Sequence, residues 1–182
     1  SPMDIIAHGL WAGIGVAAVG RHRPVSRRTA TAVVALAVLP DVVQLLPLLG
    51  RLVMDADGAE VLTAYVTALP GMEPTLPPAI ALLTHHLHCV MHSAVVAATT
   101  TALSLLLCRQ FWWPLLGWWS HIIVDVFTHS AEFYPVPVLY PFSERAFDGL
   151  AWNTPWFMVF NYLAIACAVG YLRWTGPTPV KR

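Results

Sequence analysis

The stretch from Trp118 to Ser143, WWSHIIVDVFTHSAEFYPVPVLYPFS, constrains this chain more than any other. On a helix, His121, Asp125 and His129 fall at i, i+4 and i+8 and drift only about 80° around one face. The residues between them include Ile122, Ile123, Val124, Val126 and Phe127. Two imidazoles and a carboxylate on one face of so apolar a helix are costly unless something pairs with them. A metal ion bound inside a membrane helix would supply that partner.

The rest of the chain supplies the membrane. Hydrophobic residues make up 57% of it and charged residues only 11%, against about 25% charged in ordinary soluble domains. The 10 Lys and Arg balance the 10 Asp and Glu, so no basic excess marks a nucleic-acid partner. Cys89, Cys108 and Cys167 are odd in number and sit in or beside apolar runs, which argues against a disulfide framework.

The apolar runs predict an all-α, polytopic membrane bundle of about five transmembrane helices. The runs are Ile5 to Gly20, Thr29 to Gly50, Ala79 to Leu107, a fourth ending near Ser130, and Pro155 to Trp174. Pro40 should kink the second beside Asp41. The third exceeds one span and should tilt or project from the bilayer. Between Arg51 and Pro78 the chain turns polar and acidic, with a short surface helix expected around Ala59 to Leu69. Tryptophans such as Trp112, Trp113, Trp118 and Trp156 read mostly as interface anchors. The whole is one membrane domain over residues 3–174, with a tail over 175–182 and Ser1-Pro2 standing ahead of a native Met3.

If the loops alternate sides, Arg21, Arg23, Arg27, Arg28, Arg109, Arg173, Lys181 and Arg182 share one side, and only Arg51 and Arg145 lie on the other. The basic side is then cytoplasmic, with the N-terminus outside and the C-terminus inside. His8, Asp41, the His85 to His92 cluster and the His121 face all fall in the outer halves of their helices, most of them within about 15 Å of the outer interface.

Sorted by angle from His92, His85 lies about 20° away, His88 about 40° and His86 about 120°. The inward candidates are thus His8, Asp41, His85, His88, His92, His121, Asp125 and His129. His86 turns toward a neighbouring helix, headgroups or water. Mixed imidazole and carboxylate ligands suit zinc, with manganese or iron as further options, and eight candidates leave room for one ion or more.

Ala7-His8-Gly9, Leu39-Pro40-Asp41, Met91-His92-Ser93, Ser120-His121-x-x-x-Asp125-x-x-Thr128-His129 and Leu139-Tyr140-Pro141-Phe142-Ser143 together resemble the YdjM-like family of inner-membrane metal-dependent hydrolases. The His-x-x-x-Asp arrangement is also similar to that of zinc-dependent phospholipases C. The resemblance implies hydrolysis. With a site below the outer leaflet, the expected substrate is a membrane lipid or lipid-linked phosphoester, attacked by metal-activated water. His8, Asp41, His85, His92, His121 and Asp125 are the expected metal ligands. His88 or His129 is the expected general base, and Arg145 a partner for phosphate. A metal-binding transporter and an intramembrane metalloprotease are the alternatives. The first would need a polar path through the apolar inner halves, and the second has no His-Glu-x-x-His helix to support it.

Overall fold

The computed structural model describes residues 5–69 and 71–176. Ser1 and Pro2 and nearly all of the tail over 175–182 lie outside the described residues. Within them the chain forms seven α-helices and no strand: α1 (Ile5–Gly20), α2 (Arg27–Met54), α3 (Gly58–Val66), α4 (Pro78–Met91), α5 (Ala94–Cys108), α6 (Leu115–Thr128) and α7 (Pro155–Thr175).

The central helix is α2, which packs against α1, α3, α4 and α6. Ser26 caps its start, its hydroxyl accepting from the Thr29 amide at 3.1 Å. Ala37, Asp41, Gln44 and Leu48 recur at three- and four-residue intervals, so they share one buried face. The helix runs through Pro40 and Pro47 without interruption. Asp41 is therefore interior to α2. Arg51 meets Asp55 and Asp57 at 2.6 and 2.8 Å, and this turns the chain from α2 into α3.

Among the described residues two helices are long and apolar enough to cross a membrane: α2, with 28 residues, and α7, with 21. A third crossing exists if α4 and α5, bent by 55° at their junction, count as one broken span. The five predicted spans are thereby reduced to two or three. The 16 residues of α1 and 14 of α6 rise only about 24 and 21 Å, short of a hydrocarbon core of about 30 Å. The third apolar run is not one tilted helix. Ser93 ends it and starts α5, its hydroxyl accepting from the amides of Val95 and Val96 and donating to the Tyr140 carbonyl at 2.6 Å.

Close packing of α6 on α2 depends on Gly117. A β-carbon there would lie 2.0 Å from the Val33 carbonyl oxygen, so only glycine permits the approach. One turn further along, α6 delivers His121 to α2. Trp118 is buried rather than an interface anchor, and its indole N–H donates to the Met91 carbonyl at 2.6 Å, tying α6 to the end of α4. Trp112, Trp113, Trp156 and Trp174 are exposed.

Candidate metal centre

Four donor atoms from two helices and the end of a third converge inside the bundle. Asp41 comes from α2, His92 from the C-cap of α4, and His121 and Asp125 from α6. Their side chains are at most 1% exposed, and one ligand atom from each lies within 4.8 Å of the others. His92 Nε2 and His121 Nε2 are 3.0 Å apart, and each is 3.1 Å from Asp125 Oδ2 and 3.8 Å from Asp41 Oδ1. Four ligands set tetrahedrally at about 2.0–2.1 Å from a zinc ion would be about 3.3 Å apart. The observed separations bracket that value.

The backbone fixes which nitrogen faces inward. His92 Nδ1 donates to the His88 carbonyl at 2.8 Å, and His121 Nδ1 donates to the Ala37 carbonyl at 2.7 Å. In the neutral rings, each Nε2 is then a lone pair aimed at the other and at two carboxylates. Asp41 Oδ2 is buried without a hydrogen-bond partner, and Asp41 Oδ1 and both oxygens of Asp125 face imidazole nitrogens. A buried carboxylate with no compensating charge costs several kcal/mol. Lone pairs and carboxylates in mutual contact fit a cation at their centre, and the nitrogen-oxygen donor set suits a divalent transition metal.

The remaining sequence candidates surround this centre or lie apart from it. His8 places Nε2 at 2.9 Å from Asp125 Oδ1 and stacks on His121 with ring centroids 3.9 Å apart. His129 caps α6, and its Nδ1 donates to the Asp125 backbone carbonyl at 3.1 Å, 3.9 Å from Asp125 Oδ2. His88 is buried with both ring nitrogens engaged, Nδ1 with Gln44 Oε1 at 2.6 Å and Nε2 with the Pro135 carbonyl at 3.0 Å. The carbonyl of His88 orients His92, so the residue supports the centre from behind. His85 is exposed, with its ring against Cys89 Sγ at 3.5 Å, and is not brought to the four-residue cluster. Helical angles grouped it with His92, but α4 ends there, and the wheel does not carry past its last turn. His86 accepts or donates at 2.8 Å with the Tyr140 hydroxyl. Arg145 is exposed, its amide donating to Ser143 Oγ at 3.2 Å.

Several supporting groups were not among the sequence candidates. Gln44 is buried one turn beyond Asp41. Its signal was present, since a polar side chain in an apolar helix interior carries the same cost that marked Asp41. Tyr65 on α3 packs edge-on against Tyr134 in the α6–α7 connection, with centroids 5.4 Å apart. Burial, and then the charge of Asp41, push the Tyr65 hydroxyl up to about 12, with the neighbouring Tyr134 opposing them. The connection itself is strapped along the end of α6 by Gly149 N–H to the His129 carbonyl at 2.9 Å and Leu150 N–H to the Phe127 carbonyl at 3.0 Å.

An all-helical bundle with membrane-length helices and a buried His/Asp cluster defines a membrane protein with a candidate metal site. The sequence profile of the YdjM inner membrane protein family matches residues 3–180, and the chain belongs to that family. Comparisons with curated proteins and with solved structures gave no match.

Proposed function

We propose that this protein is a membrane-embedded, metal-dependent hydrolase of a lipid or lipid-linked phosphoester. The observation that carries the reading is the convergence of His92 Nε2, His121 Nε2 and the buried carboxylates of Asp41 and Asp125 on one point. Asp41, His92, His121 and Asp125 would hold the ion, zinc in the first instance. When bound, the ion would supply Lewis acidity, lowering the pKa of a water and polarising the phosphoester.

The surrounding residues would have separate tasks. The Ala37 and His88 carbonyls hold the two imidazoles in the tautomer that presents Nε2. His8 and His129 flank Asp125 on its other sides. With Nδ1 occupied by the Asp125 carbonyl, His129 keeps Nε2 for moving a proton. Arg145 would meet a substrate phosphate if the connection closes over the site. Arg21, Arg23, Arg27, Arg28 and Arg109 lie at the ends of α1 and α5 and at the start of α2, and the Arg21 side chain reaches Thr175 at the end of α7. This common basic end supports a cytoplasmic assignment for it and a site opening toward the outer leaflet.

The test is hydrolysis by the purified full chain in vesicles. Chelation should abolish release of phosphate or headgroup from a phospholipid panel, and re-addition of zinc or manganese should restore it. A wild-type protein that carries no stoichiometric transition metal would overturn the reading.

A further inference from the structure

A cleft runs between α1, α6 and α7 and ends on His8. Its cavity volume is only about 30 Å³, room for a water or two rather than a chain. The walls are chiefly apolar, with Trp11 from α1, Val124 from α6 and Phe157 and Met158 from α7. At its inner end the His8 ring stacks on His121, with Nε2 2.9 Å from Asp125. Trp152 also lines the cleft, and its indole N–H is buried without an acceptor. The cleft thus combines a hydrocarbon wall, a spare hydrogen-bond donor and a candidate cation centre.

The surroundings of the cleft select its occupant. Among the helices, α7 packs only on α1. It is a candidate span whose outer face, with Val159, Phe160 and Leu163, is bare and apolar. The medium at the mouth is therefore lipid hydrocarbon. Helix α7 is tied to α1 by Trp11 Nε1, which donates to Asn161 Oδ1 at 2.9 Å, and, at the far end, by Arg21, which donates to Thr175 Oγ1 and lies 5.7 Å over the Tyr171 ring. Because the free space is small, entry of a chain must be coupled to a displacement of α7.

We propose that this cleft takes the acyl chain of a bilayer phospholipid and leads its ester and phosphate oxygens to Trp152 and the Asp125 end of the metal centre. The proposal deepens the hydrolase reading and rests on it only for the fate of the bound lipid. Apolar walls accept the chain at a gain proportional to the area they cover. The indole N–H and a cation are complementary to the oxygens that follow it. Met158 and Phe157 then set which chains fit.

The experiment is photolabelling of the full-length protein in phosphatidylglycerol nanodiscs doped with a phosphatidylglycerol bearing a diazirine on its acyl chain. Labelled positions are read by mass spectrometry. Trp11, Phe157 and Met158 should be labelled above Val159, Phe160 and Leu163, although the latter three are more exposed. In Met158→Trp, cleft labelling should be lost while outer-face labelling and metal content persist. Trp11→Phe, which releases Asn161, should raise cleft labelling and remains decisive if Met158→Trp fails to fold. Labelling confined to the outer face, or unchanged by both substitutions, would overturn the proposal. Cleft labelling in a protein that hydrolyses no phosphoester would keep the cleft and remove the enzyme. Hydrolysis with outer-face labelling alone would do the reverse.

Discussion

His92 and His121 point their Nε2 atoms at one another across 3.0 Å, each held there by a backbone carbonyl behind it. Two neutral imidazoles in this tautomer repel, and Asp125 Oδ2 at 3.1 Å from both adds a negative charge to the same point. A bound cation removes all three conflicts at once. Asp125→Ala and His121→Ala should each abolish stoichiometric metal binding, measured by elemental analysis of purified protein. Asp125→Asn should do the same while retaining the fold by circular dichroism, since the amide keeps the volume and removes the charge. Retention of metal by Asp125→Asn would place the ion elsewhere.

His8 touches the other oxygen of Asp125, at 2.9 Å, without being one of the four converging donors. It should act by holding the carboxylate in place. Loss of such an outer partner typically weakens metal affinity about 10–100-fold. His8→Phe should fall in that range in a competitive chelator titration and still bind metal. Complete loss would make His8 a ligand in its own right.

The approach of α6 to α2 is set by a missing side chain. Gly117→Ala places a methyl 2.0 Å from the Val33 carbonyl oxygen, one turn before the His121–Ala37 hydrogen bond. Overpacking of this kind costs about 1–3 kcal/mol. The variant should unfold at a lower temperature and bind metal more weakly, because His121 is lifted away from Ala37. Gly13→Ala, where a β-carbon meets nothing within 4 Å, is the control and should be neutral or stabilising.

The pairing of His121 with Asp125 was legible because both lie on one continuous helix, where sequence spacing fixes direction. Asp41 was legible from its cost in an apolar run. His92 was legible as an inward histidine, but the helical angles drawn from it misplaced His85, because His92 sits at a helix end whose geometry depends on Ser93 and on the Tyr140 carbonyl nearly fifty residues away. The number of spans also escaped a reading by composition. Apolar character shows that α1 and α6 avoid water, but a neighbouring helix satisfies that as well as lipid does. Only their described lengths of 16 and 14 residues separate the two. Gly117 carries no signal of its own, since the contact it permits is with a helix more than eighty residues earlier.

The Tyr65–Tyr134 contact gives the protein an alkaline limit. Burial, with the Asp41 charge adding to it, raises the Tyr65 hydroxyl from its ordinary 10 to about 12, and Tyr134 is raised as well, again chiefly by burial. An acid whose folded pKa lies above its unfolded value binds its proton more tightly in the folded state. Stability is therefore unaffected below about pH 10 and falls as pH rises from there toward 12. Tyr65→Phe removes the ionisable group and keeps the ring that packs against Leu45, Leu48 and Tyr134. In thermal unfolding followed from pH 8 to 12, the wild type should lose stability above pH 10 and Tyr65→Phe should lose less of it. Identical alkaline slopes in the two proteins would mean that Tyr65 does not limit the fold.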